Sequence, residues 1–271
     1  MITFSQLGRH GEFGNHLFQI AATIGHAVKT NDEYLFPLWK GLISREEYSK
    51  YFENPIPEGE LQGKFVSYQE PQFHYSSITT YPATHNSNIK TNMDLFGYFQ
   101  SEKYFDHCKD LIQKHFKPSK AFRDLNIIDY KNTVCIQLRF YDNKRAYSVN
   151  NINPDPTGQY SIYYQPEENV EYLKEAIRFF GYKKTYFVVT NNIEKAKSMF
   201  GQYTNFYFLE NYNYLEQFFI QTKCEHNIIS NSSFGWWGAW LNENPDKVVF
   251  APKKWFKDDK ITKDLYPQNW K

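Results

Sequence analysis

Charge imbalance is missing from this 271-residue chain: 31 Lys and Arg stand against 30 Asp and Glu, for a formal net charge of +1. Bulk electrostatics therefore calls for no nucleic-acid partner, and any bound anion must be held by a few placed groups. Cysteine is scarce as well. Cys108, Cys135 and Cys224 are odd in number and far apart, with no Cys-x-x-Cys. That spacing argues against a disulfide ladder and favours a reducing compartment. No segment approaches the ~18 to 20 apolar residues that cross a bilayer, so no integral membrane segment is expected. The chain opens on the strand-like Met1-Ile2-Thr3-Phe4 rather than on a basic and then apolar leader, which reads as a cytoplasmic protein. His-Glu-x-x-His, Gly-x-Ser-x-Gly and Asp-x-Asp are all absent, and the eight histidines are scattered. The expectation is an activity with no metal and no cofactor.

What is plentiful is aromatic: 22 Tyr, 24 Phe and 6 Trp make up 19% of the chain. Such residues supply stacking platforms for sugars or bases, or they reflect a composition bias shared with Lys and Asn. The length allows a sizeable core, in one large domain or two modest ones.

The order of elements favours the α/β class. After the first strand come Gly8, Gly11 and Gly14, then a helix whose apolar face is Leu17, Ile20, Ala21, Ile24 and Val28. The proline-dotted stretch from Tyr34 to His85 predicts irregular structure with short helices. A strand over Asp94 to Phe99 and a helix around Glu102 to His115 follow. From Thr133 the pattern becomes regular. Strands at Val134–Leu138, Tyr186–Val189, Phe206–Phe208, Asn227–Ser230 and Lys247–Ala251 alternate with helices from Pro166 to Phe180, Ile193 to Phe200 and Leu215 to Lys223, and with one carrying Trp236, Trp237 and Trp240. Alternation of this kind predicts a parallel sheet covered on both faces, with ligands bound beyond the carboxyl ends of its strands. A boundary near Lys117 to Asn132 divides the chain into residues 1–125 and 126–271.

Three stretches carry candidate chemistry. Ile228-Ile229-Ser230-Asn231-Ser232-Ser233-Phe234 runs from a buried strand through small polar residues into a helix. Free N–H groups and the positive end of a helix dipole there suit a phosphate; equally, Ser232 or Ser233 simply caps the helix. Arg139 follows the apolar strand ending at Leu138, where a guanidinium can fork onto a diphosphate. The alternative is a surface arginine, or one paired with Asp142. The glycine turn Gly8 to Gly14, with His10, Glu12 and Asn15, permits close backbone approach to a ligand, with Asn15 as a helix cap. It is neither a Walker loop nor a dinucleotide fingerprint.

These stretches, in this order, resemble the alpha-1,2-fucosyltransferase family of inverting glycosyltransferases (glycosyltransferase family 11). Gly14-Asn15-His16-Leu17-Phe18-Gln19, Gly97-Tyr98-Phe99-Gln100-Ser101, Asn231-Ser232-Ser233-Phe234-Gly235-Trp236-Trp237-Gly238-Ala239-Trp240 and Tyr266-Pro267-Gln268-Asn269-Trp270 are each similar to that family's segments. The resemblance implies a two-lobed, GT-B-like fold, with an acceptor-side first lobe and a Rossmann-like C-terminal lobe that holds a GDP-sugar. It implies transfer of fucose from GDP-fucose to a glycan hydroxyl. Arg139 falls on the family's first arginine, expected to grip the donor diphosphate. Donor contacts are expected from Gly14, Asn15, Gln137, Arg139, Thr190, Asn191, Asn231, Ser232, Ser233 and Phe234. Arg139, Glu12 and Asp142 are the catalytic candidates: Glu12 leads for the base, with His10 and Asp142 as alternates. Where the family has His-x-Arg-Arg-Gly-Asp-Tyr, this chain reads Gln137-Leu138-Arg139-Phe140-Tyr141-Asp142-Asn143, and Thr190-Asn191-Asn192 replaces its Ser-Asp-Asp. Those departures leave GDP-rhamnose or GDP-mannose as rival donors, and a non-catalytic GDP- or glycan-binding relative as a rival class.

Overall fold

The computed structural model describes residues 1–38, 51–79, 92–123, 125, 129–141 and 159–271. Parts of the proline-dotted stretch and all of residues 142–158, Asp142 and Asn143 among them, lie outside the described residues. Two compact units emerge: residues 1–121 with 261–267, and residues 122–260 with 268–271.

The first unit holds a three-stranded parallel sheet in the order β1 (Ile2–Thr3), β3 (Asn92–Phe96), β2 (Phe65–Gln69). Helix α1 (Phe13–Thr30) follows the glycine turn. Leu17, Ile20, Ala21 and Ile24 are wholly buried as the periodicity predicts, but Val28 is 42% exposed. The helix is instead buried nearly all round, taking in His16, Gln19 and Thr23. Its N-cap is Glu12; Asn15 is the third helical residue, and its Oδ1 accepts from the Glu12 N–H (3.0 Å). The strand expected to reach Phe99 ends at Phe96, because Phe99 adopts a left-handed backbone (φ 51°). The expected helix from Glu102 to His115 begins as two 3₁₀ turns and becomes α-helical only in α2 (Lys109–His115). A four-residue helix, α3 (Lys120–Arg123), reaches the division between the units.

The second unit is a five-stranded, wholly parallel sheet in the order β6-β5-β4-β7-β8. Its strands are β4 (Thr133–Leu138), β5 (Thr185–Thr190), β6 (Phe206–Phe208), β7 (His226–Ile229) and β8 (Val249–Phe250). The helices are α4 (Val170–Phe180), α5 (Ile193–Phe200), α6 (Tyr214–Lys223) and α7 (Ser233–Trp240). Pro166 opens a 3₁₀ turn ahead of α4 rather than the α-helix itself. Every residue of β4 is buried, as parallel strands covered on both faces require. Val134, Ile136 and Leu138 pack on one face with Leu173, Ala176 and Ile177 of α4; Cys135 packs on the other with Ile220 and Cys224. Cys135 and Cys224 therefore share one core despite their separation in sequence. Burial, reinforced by a hydrogen bond with Cys224, pushes the Cys135 thiol well above its ordinary range. Both cysteines are free thiols.

Strand order places the site. From β4 the chain winds outward through β5 to β6, then crosses back to β7 on the other side of β4. That reversal beside β4 is the switch point at which open α/β sheets bind ligands.

Candidate active site

Three strand ends meet at one level of the second sheet. Leu138 pairs with Thr190, and Gln137 with Ile229, so Arg139 and Ser230 leave the sheet side by side. The Arg139 N–H donates to Ser230 Oγ (2.9 Å), and that hydroxyl donates to Gln137 Oε1 (2.9 Å). The backbone is tied as well, Ser230 N to Gln137 O at 3.0 Å. Asn191 clamps the next residue: Phe140 N donates to its Oδ1 and its Nδ2 to Phe140 O, both at 2.8 Å. Thr190 closes its own turn, its hydroxyl accepting from Asn192 N (3.1 Å). Arg139 thus rises from a loop fixed on both sides by side chains of neighbouring strand ends, and it is half-buried.

Beside it begins α7. Ser232 stands at the N-cap with extended backbone, and its side chain makes no capping bond. Ser230, Asn231 and Ser232 are buried, while Ser233 and Phe234 are half-buried. The Asn231 side chain donates to Trp255 O (2.9 Å), so it anchors the loop from below. Gln137, 3% exposed, likewise lies beneath the loop. It fits because Gly235 has no side chain: a Cβ there would sit 2.5 Å from Gln137 Oε1. The Phe234 ring packs edge-on against Phe218 of α6 (5.2 Å). At the other end of α7, Lys247 Nζ donates to the carbonyls of Ala239 (2.8 Å), Trp240 (3.0 Å) and Asn242 (2.6 Å). A cation at the C-terminus complements the helix dipole whose positive end opens beside Arg139.

In the first unit, Glu12, Gly14, Asn15 and His10 lie together at the start of α1. The turn is pinned by Gln19, whose Nε2 donates to His10 O (3.2 Å) and Gly97 O (3.3 Å), and by the His10 ring set edge-on to Phe96 (5.2 Å). Two of the motif-like segments, Gly14–Gln19 and Gly97–Ser101, are therefore joined by one buried amide. His16, in the first of these segments, is held neutral: burial lowers its pKa to about 4. Among the described residues, no three His, Cys, Asp or Glu side chains gather as a metal site would require.

A model described as glycosyl transferase family 11 matches residues 64–271. The chain belongs to that family.

Known proteins that resemble this member of glycosyl transferase family 11 include the following three. The O-antigen biosynthesis glycosyltransferase WbnK of Escherichia coli is 29% identical over 67% of this chain, and the match spans 61% of WbnK's own length. The alpha-1,2-colitosyltransferase of Escherichia coli is 24% identical over 96% of this chain and 95% of that protein. A crystal structure of NodZ, a Bradyrhizobium alpha-1,6-fucosyltransferase, soaked with GDP-fucose matches at a TM-score of 0.54 and 14% identity, over 92% of this chain and 94% of that one. That last likeness concerns the fold, which is α/β and GT-B-like. No helix among the described residues is long and apolar enough to cross a membrane.

Some contacts in this family-11 chain have no signal in the sequence. Ser230 lies in the candidate stretch after β7, but that its hydroxyl joins two strand ends depends on the register of β4 beside β7. Glu70 was not singled out: its Oε2 accepts from the N–H groups of Tyr98 (2.8 Å) and Phe99 (3.0 Å), 28 and 29 residues away. Only the folded register of β2 beside β3 brings those groups together.

Proposed function

We propose that this family-11 member is an inverting glycosyltransferase that moves fucose from GDP-fucose to a hydroxyl of a glycan, without a metal, in the cytoplasm. The observation that carries the reading is Arg139, fixed through its backbone to Ser230 at the switch point and beside the start of α7. In such a transfer the acceptor hydroxyl attacks the anomeric carbon while GDP departs from the opposite face, and negative charge grows on the diphosphate. A guanidinium and the positive end of the α7 dipole stabilise that charge in the transition state more than in the ground state. Gln137, Asn191 and Asn231 serve by holding the loop; Ser232, Ser233 and Phe234 lend the helix mouth. Gly14 and Asn15, in the segment resembling the family's N-terminal motif, complete the proposed donor contacts. Glu12 in the same turn is our candidate to take the hydroxyl proton, with His10 and Asp142 as alternates. The fold shared with a fucosyltransferase soaked with GDP-fucose supports the donor, and the O-antigen assignment of WbnK supports a polysaccharide acceptor.

A second reading has its own support. The relative named for colitose transfer aligns along nearly the whole chain, and Gln137, Phe140 and Tyr141 depart from the fucosyltransferase pattern. Another GDP-linked hexose is then the donor. Hydrolysis assays with the GDP-linked forms of fucose, colitose, mannose and rhamnose separate the two.

Calorimetry on Arg139→Ala tests the site itself. Loss of a charge-assisted contact of ~1.5 to 3 kcal/mol lowers GDP affinity at least about tenfold. A folded variant that binds GDP as tightly as the parent removes Arg139 from the site.

A further inference from the structure

One residue that departs from the family pattern is firmly built into the site. Tyr141 stands where the resemblance expects glycine, two positions after Arg139. The backbone of Tyr141 is held from both sides by one amide: its N–H donates to Gln165 Oε1 (2.9 Å), and Gln165 Nε2 donates to its carbonyl (2.6 Å). The ring stacks on Tyr163, with centroids 4.3 Å apart and planes 12° from parallel, and Tyr163 leans in turn on Phe256 (5.2 Å). Its hydroxyl donates to the carbonyl of Asn231, the residue just before the N-cap of α7. The Arg139 guanidinium carbon lies over the same ring, 5.6 Å from its centroid. Meanwhile Phe140, in place of the family's second arginine, is 2% exposed and packs into the core of the sheet.

We propose that Tyr141 is the positioning residue of the diphosphate grip, its ring steadying the Arg139 guanidinium and its hydroxyl tying that loop to the mouth of α7. The inference rests on the GDP-binding reading of the same site. The physical argument is preorganisation. A lone arginine on a flexible stem loses rotamer freedom when it engages an anion, and a face already attracting the cation reduces that loss. A second arginine would contribute charge; Tyr141 contributes geometry. The chain thereby keeps one guanidinium working in a site whose second one has become a core phenylalanine.

The test is a double-mutant cycle read by calorimetry with GDP, alongside donor kinetics and thermal unfolding. Tyr141→Phe keeps the ring and loses the tie to Asn231; GDP binding is expected to weaken about threefold. Tyr141→Leu loses both, and binding weakens about tenfold, with kcat falling and acceptor KM unchanged. In an Arg139→Ala background, Tyr141→Leu is expected to change GDP affinity by less than about twofold, because a residue acting through Arg139 has nothing left to position. Equal affinity of the parent and both single variants overturns the inference, as does a Tyr141→Leu effect that persists in full without Arg139. If Tyr141→Leu does not fold, Tyr141→Phe in the two backgrounds tests the hydroxyl tie, and a loss that persists in full without Arg139 overturns the inference. A parent protein that binds no GDP sinks the functional reading along with this inference, whereas a parent that binds and a cycle that is additive sink this inference alone.

Discussion

Gly238 has no side chain because Gln221 already fills the space: a Cβ there would lie 2.0 Å from Gln221 Cδ. Gln221 is wholly buried on α6, and its Nε2 reaches back to Phe234 O (3.3 Å) while its carbonyl accepts from Asn227 Nδ2 (2.9 Å). Two effects of Gly238→Ala therefore compete. Helix propensity favours alanine by about 1 kcal/mol, while forcing a methyl into a packed polar network costs about 1 to 3 kcal/mol. A contact of 2.0 Å requires a buried side chain to move, so overpacking wins. The expected outcome is a fall in Tm of several degrees, read by thermal denaturation; an unchanged or higher Tm means that Gln221 yields freely. The sequence showed a helix carrying Trp236, Trp237 and Trp240. That Gly235 faces Gln137 and Gly238 faces Gln221 could not be read there, because those partners sit on other elements, more than 90 and about 17 residues away respectively.

At the scale of elements, the parallel sheet of the second unit was legible because its strands are short apolar runs punctuated by helices of regular period. Strand β2 was not. It is half-exposed along its length and shows no run of buried residues, so an edge position replaces the usual apolar signal. Its end matters, since Glu70 follows it and receives the turn after β3. Burial pushes the Glu70 carboxyl up to about 7, against the backbone N–H groups of Phe99 and Tyr98 that pull it down. The sign follows from proton binding. From the ordinary value of 4.5 up to about 7 the folded chain holds a proton that the unfolded chain has released, so this group's stabilising contribution is complete below 4.5 and is lost as pH rises through 7. Glu70→Gln keeps an oxygen for both N–H donors and removes the buried charge. It is expected to exceed the parent in stability at pH 8 by on the order of 2 to 3 kcal/mol, the gap closing toward pH 4. Denaturant unfolding at the two pH values checks this; a constant difference assigns Glu70 an ordinary carboxylate. His16 titrates in an overlapping window with the opposite sign, which is why the comparison is between variant and parent.

For the molecule as a whole, near-neutral charge means that the diphosphate of the proposed donor is met by placed groups rather than by a field. Asp-x-Asp is absent from the sequence, and the guanidinium and helix mouth at the switch point are the groups proposed to do what a bound cation does in other transferases. Activity is accordingly expected to survive EDTA with less than about a twofold loss; a loss restored by added magnesium or manganese contradicts that division of labour. The chain end serves both units. Asp264, in the segment belonging to the first, pairs with Lys103. In the second unit, Trp270 packs on Trp236 of α7 (5.5 Å), and Lys271 N donates to Val249 O (2.8 Å).

Local order in the chain was enough to determine the α/β class, the parallel sheet of the second half, the position of Arg139 at a strand end, and the helix opening after Asn231. Each of these depends on periodicity or on residues adjacent in sequence. Tertiary structure alone decided that Ser230 braces Arg139, that Gly235 leaves room for Gln137, that Tyr141 bridges to Asn231, and that Cys135 lies with Cys224. These are contacts across about 90 residues or more, set by strand register and helix docking. Side-chain identity fixes what such groups can do when they meet, but only packing fixes which of them meet.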